Sequence, residues 1–128
     1  FGSSQDITTS SNTLIMPSNG AIDLNNSARA FYYNVSTGLF TAAVELNNVE
    51  ITLDLRYIAP ASSNQVTVDI LVSGVVVDTV VMTGGFPRAT LRARRIVKGA
   101  TFLLRMVGSA SYSLDGSVNT KLSLIANV

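Results

Sequence analysis

Cysteine, histidine and tryptophan are absent from the 128 residues, and only 13% of them are charged. Without cysteine there is no disulfide, no thiolate zinc site and no thiol nucleophile. Without histidine the commonest general base and metal ligand is missing. A serine nucleophile would then need lysine as its base, and neither Lys98 nor Lys121 stands in a Ser-x-x-Lys arrangement. Glycoside hydrolysis needs two carboxylates about 5 to 9 Å apart. Glu50 and Asp54, four residues apart along one strand face, would be separated by roughly 13 Å at about 3.3 Å per residue. A carboxylate pair shared across subunits, or one using Glu45 or Asp69, is the enzymatic arrangement left, so no catalytic residue is assigned and the chain reads as non-enzymatic. No run resembles an oxygen-ligand calcium loop, and neither metal nor cofactor is expected. Apolar runs of about 18 residues are also missing, so no transmembrane segment is expected.

Hydrophobic residues, by contrast, make up 47% of the chain, while the charged fraction is about half the usual quarter of a globular domain. A charge-poor chain outside a membrane finds a place for surplus apolar surface in contacts between subunits, which suggests an oligomer. The length fits a single domain. Phe1-Gly2-Ser3-Ser4-Gln5 carries neither an initiator Met nor a signal peptide, which reads as the start of a fragment, with residues 1–12 a flexible lead-in from an upstream stalk and 13–128 one β-sandwich domain. The sequon matches at Asn25-Asn26-Ser27 and Asn34-Val35-Ser36 carry no weight in so Asn- and Ser-rich a chain.

Val, Ile and Thr together number 35, and Gly, Asn and Ser are scattered between the apolar runs, the pattern of an all-β protein. Residues 49–57 alternate apolar and polar without a break, as a strand with one wet face does. Residues 65–72 repeat the pattern, and Ser73-Gly74 joins them to 75–82 as a hairpin. Further strands are expected at 13–16, 21–24, 30–34, 39–46, 89–97, 100–107, 109–114 and 120–128, with turns at Lys98-Gly99 and Asp115-Gly116. No stretch holds a 3.6-residue apolar period, so essentially no helix is expected. About ten short antiparallel strands in one small domain suggest a jelly-roll sandwich, with an immunoglobulin-like sandwich as the rival that lacks its Cys pair and core Trp.

Ser36-Thr37-Gly38-Leu39-Phe40-Thr41 resembles the strand opening of C1q and tumour-necrosis-factor-like domains. Residues 91–107, centred on Lys98-Gly99, are similar to the penultimate hairpin of that superfamily, and Thr120 to Val128 resembles its closing central strand. Ala42-Ala43-Val44-Glu45 stands where C1q domains place a Pro-Gly-x-Tyr turn, so the resemblance is to the wider class of jelly-roll trimers. Within it, the chain is most similar to knobs at the tips of bacteriophage tail needles and fibres. The resemblance implies a homotrimer in the virion, ending a needle that plugs the DNA exit channel and meets the host envelope, with a cell-surface glycan as a contact during genome ejection. Val128, closing an apolar strand, would then lie near the assembly axis.

Charge is divided along the chain. Residues 1–87 hold Arg29 and Arg56 against seven acids, a net of minus five; residues 88–128 hold seven cations against Asp115, a net of plus six. Strand alternation puts Arg88, Thr90, Arg92, Arg94 and Ile96 on one face, and Ala89, Leu91, Ala93, Arg95 and Val97 on the other. Guanidinium groups about 6 to 7 Å apart repel by roughly 0.6 kcal/mol in water and about 2.5 kcal/mol at an effective dielectric of 20, so the row needs solvent or carboxylates. Three readings stay open: a solvated face with cross-strand pairs to Glu50 and Asp54, pairing between subunits, and a small-anion or carboxylate site formed by Arg88, Arg92 and Arg94, at a subunit interface in a trimer. Arg95 is expected to snorkel at a rim. The basic residues lack interleaved aromatics, so nucleic acid is not an expected partner. Phe31, Tyr33 and most other aromatics read as core; Phe86, beside Pro87 in a Gly-rich loop, reads as a contact site.

Overall fold

β-Branched residues fit a half-buried pleated surface, and where they alternate with polar ones the chain forms strands. The computed structural model describes residues 5–14, 22–24, 31–34, 36–55, 64–85, 87–114 and 121–127. Its strands are β1 (Gln5–Ile7), β2 (Asn12–Thr13), β3 (Ile22–Leu24), β4 (Phe31–Asn34), β5 (Leu39–Ala42), β6 (Leu46–Asp54), β7 (Gln65–Val72), β8 (Val75–Thr83), β9 (Arg88–Ile96), β10 (Thr101–Gly108), β11 (Tyr112–Leu114) and β12 (Lys121–Asn127). Among the described residues there is no helix. The protein is an all-β sandwich. One sheet runs β4-β5-β10-β7-β8 with β2 also on β10, the other runs β3-β12-β6-β9, and β1 and β11 form a separate pair. The pairs are antiparallel apart from β3 with β12, which run parallel, a departure from the wholly antiparallel expectation.

The layer between the sheets is apolar. Phe40, Val66, Val68, Ile70, Phe102, Leu104 and Met106 from one sheet are buried, as are Leu46, Val49, Ile51, Leu53, Leu91 and Ile96 from the other. At one end the Phe40 and Phe102 rings stack with centroids 4.8 Å apart, and Phe31 meets both edge-on. Offset and edge-to-face rings of this kind add about 0.5–1.5 kcal/mol per pair beyond area burial.

Four local features depart from simple alternation. Gln5–Ile7, expected to belong to a lead-in, pairs with β11, and Ile7 is fully buried. Its neighbours are tied to β10 by Gly108 N–H to Thr8 O at 2.8 Å and Leu14 N–H to Leu104 O at 2.8 Å. The expected strand 39–46 is broken by a bend at Ala43 and Val44, where the chain crosses from one sheet to the other. Lys98-Gly99 does not close a hairpin: β9 pairs with β6 whereas β10 pairs with β5, β7 and β2. Gly99, at φ 83°, donates instead to Ala42 O and lets the turn arch between the sheets.

The fourth feature lies within β6 and β9. Register holds from Leu46 opposite Ile96 to Asp54 opposite Arg88, yet the buried positions change phase on both strands, from Val49 and Ala93 to Leu46 and Ile96. Asn48, at φ 51°, makes the change. A left-handed conformation costs most residues about 1–2 kcal/mol, but Asn tolerates it. Ile96 is thereby buried, and Arg95 is turned to the outer face, the reverse of strict alternation. By contrast, Ser73 at φ 51° and Gly74 at φ 82° close the expected β7–β8 hairpin with both central residues left-handed. Phe86, Val128 and the Asp115-Gly116 turn lie outside the described residues.

Urea unfolding of Asn48→Gly is expected to match the parent within about 0.5 kcal/mol, since glycine adopts a positive φ freely, whereas Asn48→Val loses about 1–2 kcal/mol. Phe102→Ala, which removes one ring of the stack, loses about 3–5 kcal/mol in the same assay.

Candidate functional site

The outer face of β6 and β9 is a ladder of opposed polar side chains. Arg88 Nε lies 3.3 Å from Asp54 Oδ1, and Arg92 Nε donates to Glu50 Oε1 at 3.0 Å. Between them the Thr52 and Thr90 hydroxyls share a 3.1 Å hydrogen bond. Each of these pairs is directly opposed in register. Past the phase change, Arg95 Nε pairs with Glu45. The acidic first part of the chain therefore supplies the counter-charge for the basic second part, and the repulsion within the arginine row is offset by carboxylates on the neighbouring strand. These pairs are exposed, and such pairs contribute little stability each.

Arg94 differs from its neighbours. It falls level with Asn48, at the rung that the β6–β9 ladder skips and where the buried face switches, and has no ion-pair partner among the described residues. With Val77, Arg92, Ala93 and Arg95 it lines a groove of about 350 Å³ between β8 and β9. A smaller hollow of about 180 Å³ adjoins it, formed by Asn48, Val49, Glu50, Arg92, Ala93 and Arg94. Of the three arginines read as an anion site, Arg92 and Arg94 thus come together, while Arg88 sits two rungs away against Asp54 and lines neither hollow. Phe86 falls outside the described residues.

A polar strap joins the two sheets, and the sequence did not reveal it. Arg105 Nη2 donates to Asp69 Oδ2 at 2.9 Å, the Thr79 hydroxyl donates to Asp69 Oδ1 at 2.6 Å, and Thr79 N–H donates to Asp78 Oδ1 at 2.9 Å. Asp78 Oδ2 then accepts Arg92 N–H at 2.8 Å, across to the second sheet. The register slips between Ile70 and Leu71, leaving Val77 as an extra residue on β8 beside Asp78. A bulge of this kind re-aims the side chain next to it. The signal available in the sequence was one acid, Asp78, inside the run of valines from 75 to 81.

No family profile matches the sequence, and no curated protein matches it. A solved structure, that of Podospora anserina GH26-CBM35 β-(1,4)-mannanase, is similar over 100% of this chain and 28% of its own, at 9% identity and a TM-score of 0.44. The chain spans less than a third of that protein, and the likeness is too distant to bear on activity.

A double-mutant cycle on Arg92 and Glu50 is expected to give a coupling of about 0.2–1 kcal/mol, as both ends are exposed. Asp69→Ala is expected to cost more, about 3 kcal/mol, because Asp69 is largely buried and its loss leaves Arg105, two-thirds buried, without its carboxylate. Thermal and urea unfolding of the variants check both values.

Proposed function

We propose that this domain is a non-enzymatic homotrimeric knob of the tumour-necrosis-factor-like jelly-roll type, serving at the tip of a phage tail needle or fibre in channel plugging, contact with the host envelope and genome ejection. The observation that supports assembly is the edge strand β8. Val75, Val76, Val77 and Val81 on it are 63%, 44%, 47% and 51% exposed. Among the described residues β8 has β7 as its ladder partner and no strand beyond it. Proteins blunt exposed edges with charge, proline or a covering element, because an apolar edge is a template for another chain. Here three consecutive valines stand at the edge, followed by Asp78, whose carboxylate is already turned toward β9. Copies related by a closed rotation would cover such an edge without leaving one free to propagate a filament.

A second reading is supported by Arg94: a receptor-recognition module for an acidic sugar or small carboxylate, with the guanidinium groups of Arg92 and Arg94 in one groove. Arg92 uses Nε for Glu50, and its terminal nitrogens have no partner among the described residues. Planar guanidinium forks suit a carboxylate.

Sedimentation equilibrium at micromolar concentration is expected to give about three times the 13.5 kDa chain mass, and Val77→Lys to shift the protein toward monomer while its circular dichroism stays that of a folded β protein, with a thermal transition that no longer depends on concentration. A parent protein that stays monomeric at tens of micromolar overturns the assembly reading. Carboxylate binding that is lost in Arg94→Gln, without any change in sedimentation, would favour the module.

A further inference from the structure

At the opposite edge of the same sheet, the β4–β5 hairpin presents a different surface. Tyr32 is 70% exposed, the most exposed of the large hydrophobic side chains among the described residues. It faces outward directly opposite Thr41, and Thr41 is in turn opposite Thr101, so an aromatic ring and two hydroxyl-bearing residues form one row across three strands. The next rung outward pairs Asn34 with Leu39. Tyr32, Tyr33, Asn34, Leu39 and Thr41 line an open hollow of about 470 Å³.

Two details set the chemistry of this hollow. Asn34 Oδ1 accepts the N–H groups of Ser36 at 2.9 Å and Thr37 at 3.3 Å, which orients the side-chain amide. Nδ2 is left as a donor with no partner among the described residues. Inside, Tyr33 packs on Phe40 at 4.4 Å, and Phe40 belongs to the Phe31, Phe40 and Phe102 stack. The hairpin that carries Tyr32 is therefore anchored to the rigid end of the core. None of the residues lining the hollow is charged, so it offers no attraction to an anion and no repulsion of one.

A flat aromatic face flanked by an oriented amide donor and a hydroxyl matches one ligand class, a pyranose ring, with an apolar C–H face and a rim of hydroxyls that both give and accept hydrogen bonds. From this arrangement we propose that the β4–β5 hairpin binds neutral saccharide chains, with Tyr32 as the stacking platform and Asn34 and Thr41 as the hydrogen-bonding rim. The site is independent of the assembly reading, because all of its residues belong to one hairpin of one chain. It is also distinct from the Arg94 groove, which lies beside β8, at the other edge of the sheet.

The chain has no tryptophan, so Tyr32→Trp places a single indole at the platform and reports ligand by its emission. The probes are neutral hexopyranose oligosaccharides, with acidic oligosaccharides alongside. Saturable binding of a neutral oligosaccharide at millimolar concentration or below is expected, with a change in the indole emission of that variant. Tyr32→Phe should retain binding, and Tyr32→Ala should weaken it at least about tenfold, with thermal unfolding unchanged at so exposed a position. The proposal is overturned if no neutral oligosaccharide binds, if Tyr32→Ala binds as well as the parent, or if only acidic oligosaccharides bind and that binding is lost in Arg94→Gln. Sedimentation of the same variants separates a failure of this site from a failure to assemble.

Discussion

Phe40 and Phe102 lie face to face between the sheets, and the apolar layer they anchor decides what the rest of the chain can do. With 47% hydrophobic residues, that layer absorbs Ile, Leu, Val, Phe and Met from both sheets and still leaves valines over. The surplus is not scattered. Much of it lies along one edge strand, β8, while the outer face of β6 and β9 carries charge and hydroxyl. Burial of apolar area drives folding in proportion to area removed from water, so an edge strand left apolar after the core is complete points to contact with another molecule.

The electrostatics follow from the same frame. Arg88, Arg92 and Arg94 along one strand would repel one another, yet antiparallel pairing of β6 with β9 sets Asp54 against Arg88 and Glu50 against Arg92, leaving Arg94 without a carboxylate among the described residues. Asp78 and Asp69 perform a different task. They carry a hydrogen-bonded strap from β10 through β7 and β8 to β9, tying the sheets at the side where β8 and β9 leave the sandwich open. The groove of Arg94 lies beside that strap, and the Tyr32 hollow at the far edge of the same sheet, so the two candidate binding surfaces differ both in position and in charge.

Much of this is legible in the sequence, and the parts that are not have physical causes. Residues 49–55 alternate so regularly that this part of β6 and its buried face can be read directly, while pairing of Glu50 and Asp54 with the arginines is one of three readings that the sequence leaves open. The Ser73-Gly74 hairpin is equally plain, since two left-handed residues in a row need such a pair. What alternation cannot show is a change of phase. Asn48 switches the buried face of β6 and β9 together, so Arg95 turns outward and Ile96 inward against expectation. The bulge at Val77 likewise puts consecutive valines in the open instead of alternating them. Gln5–Ile7 reads as a lead-in because its neighbours are polar, although Ile7 is fully buried and the segment pairs with β11. Lys98-Gly99 looks like a hairpin because a tight turn has the same residues whether the strands it joins pair or belong to facing sheets.

Everything proposed about assembly turns on the apolar edge of β8 being covered by another copy of the chain. Amide hydrogen exchange, followed strand by strand as the protein is diluted, tests this most directly, because opening of an edge is reported residue by residue. If copies cover the edge, protection of β8 falls on dilution while β6, β7 and β10 keep theirs. Free exchange along the outward amides of β8 at every concentration, or protection there that dilution leaves unchanged, would contradict it.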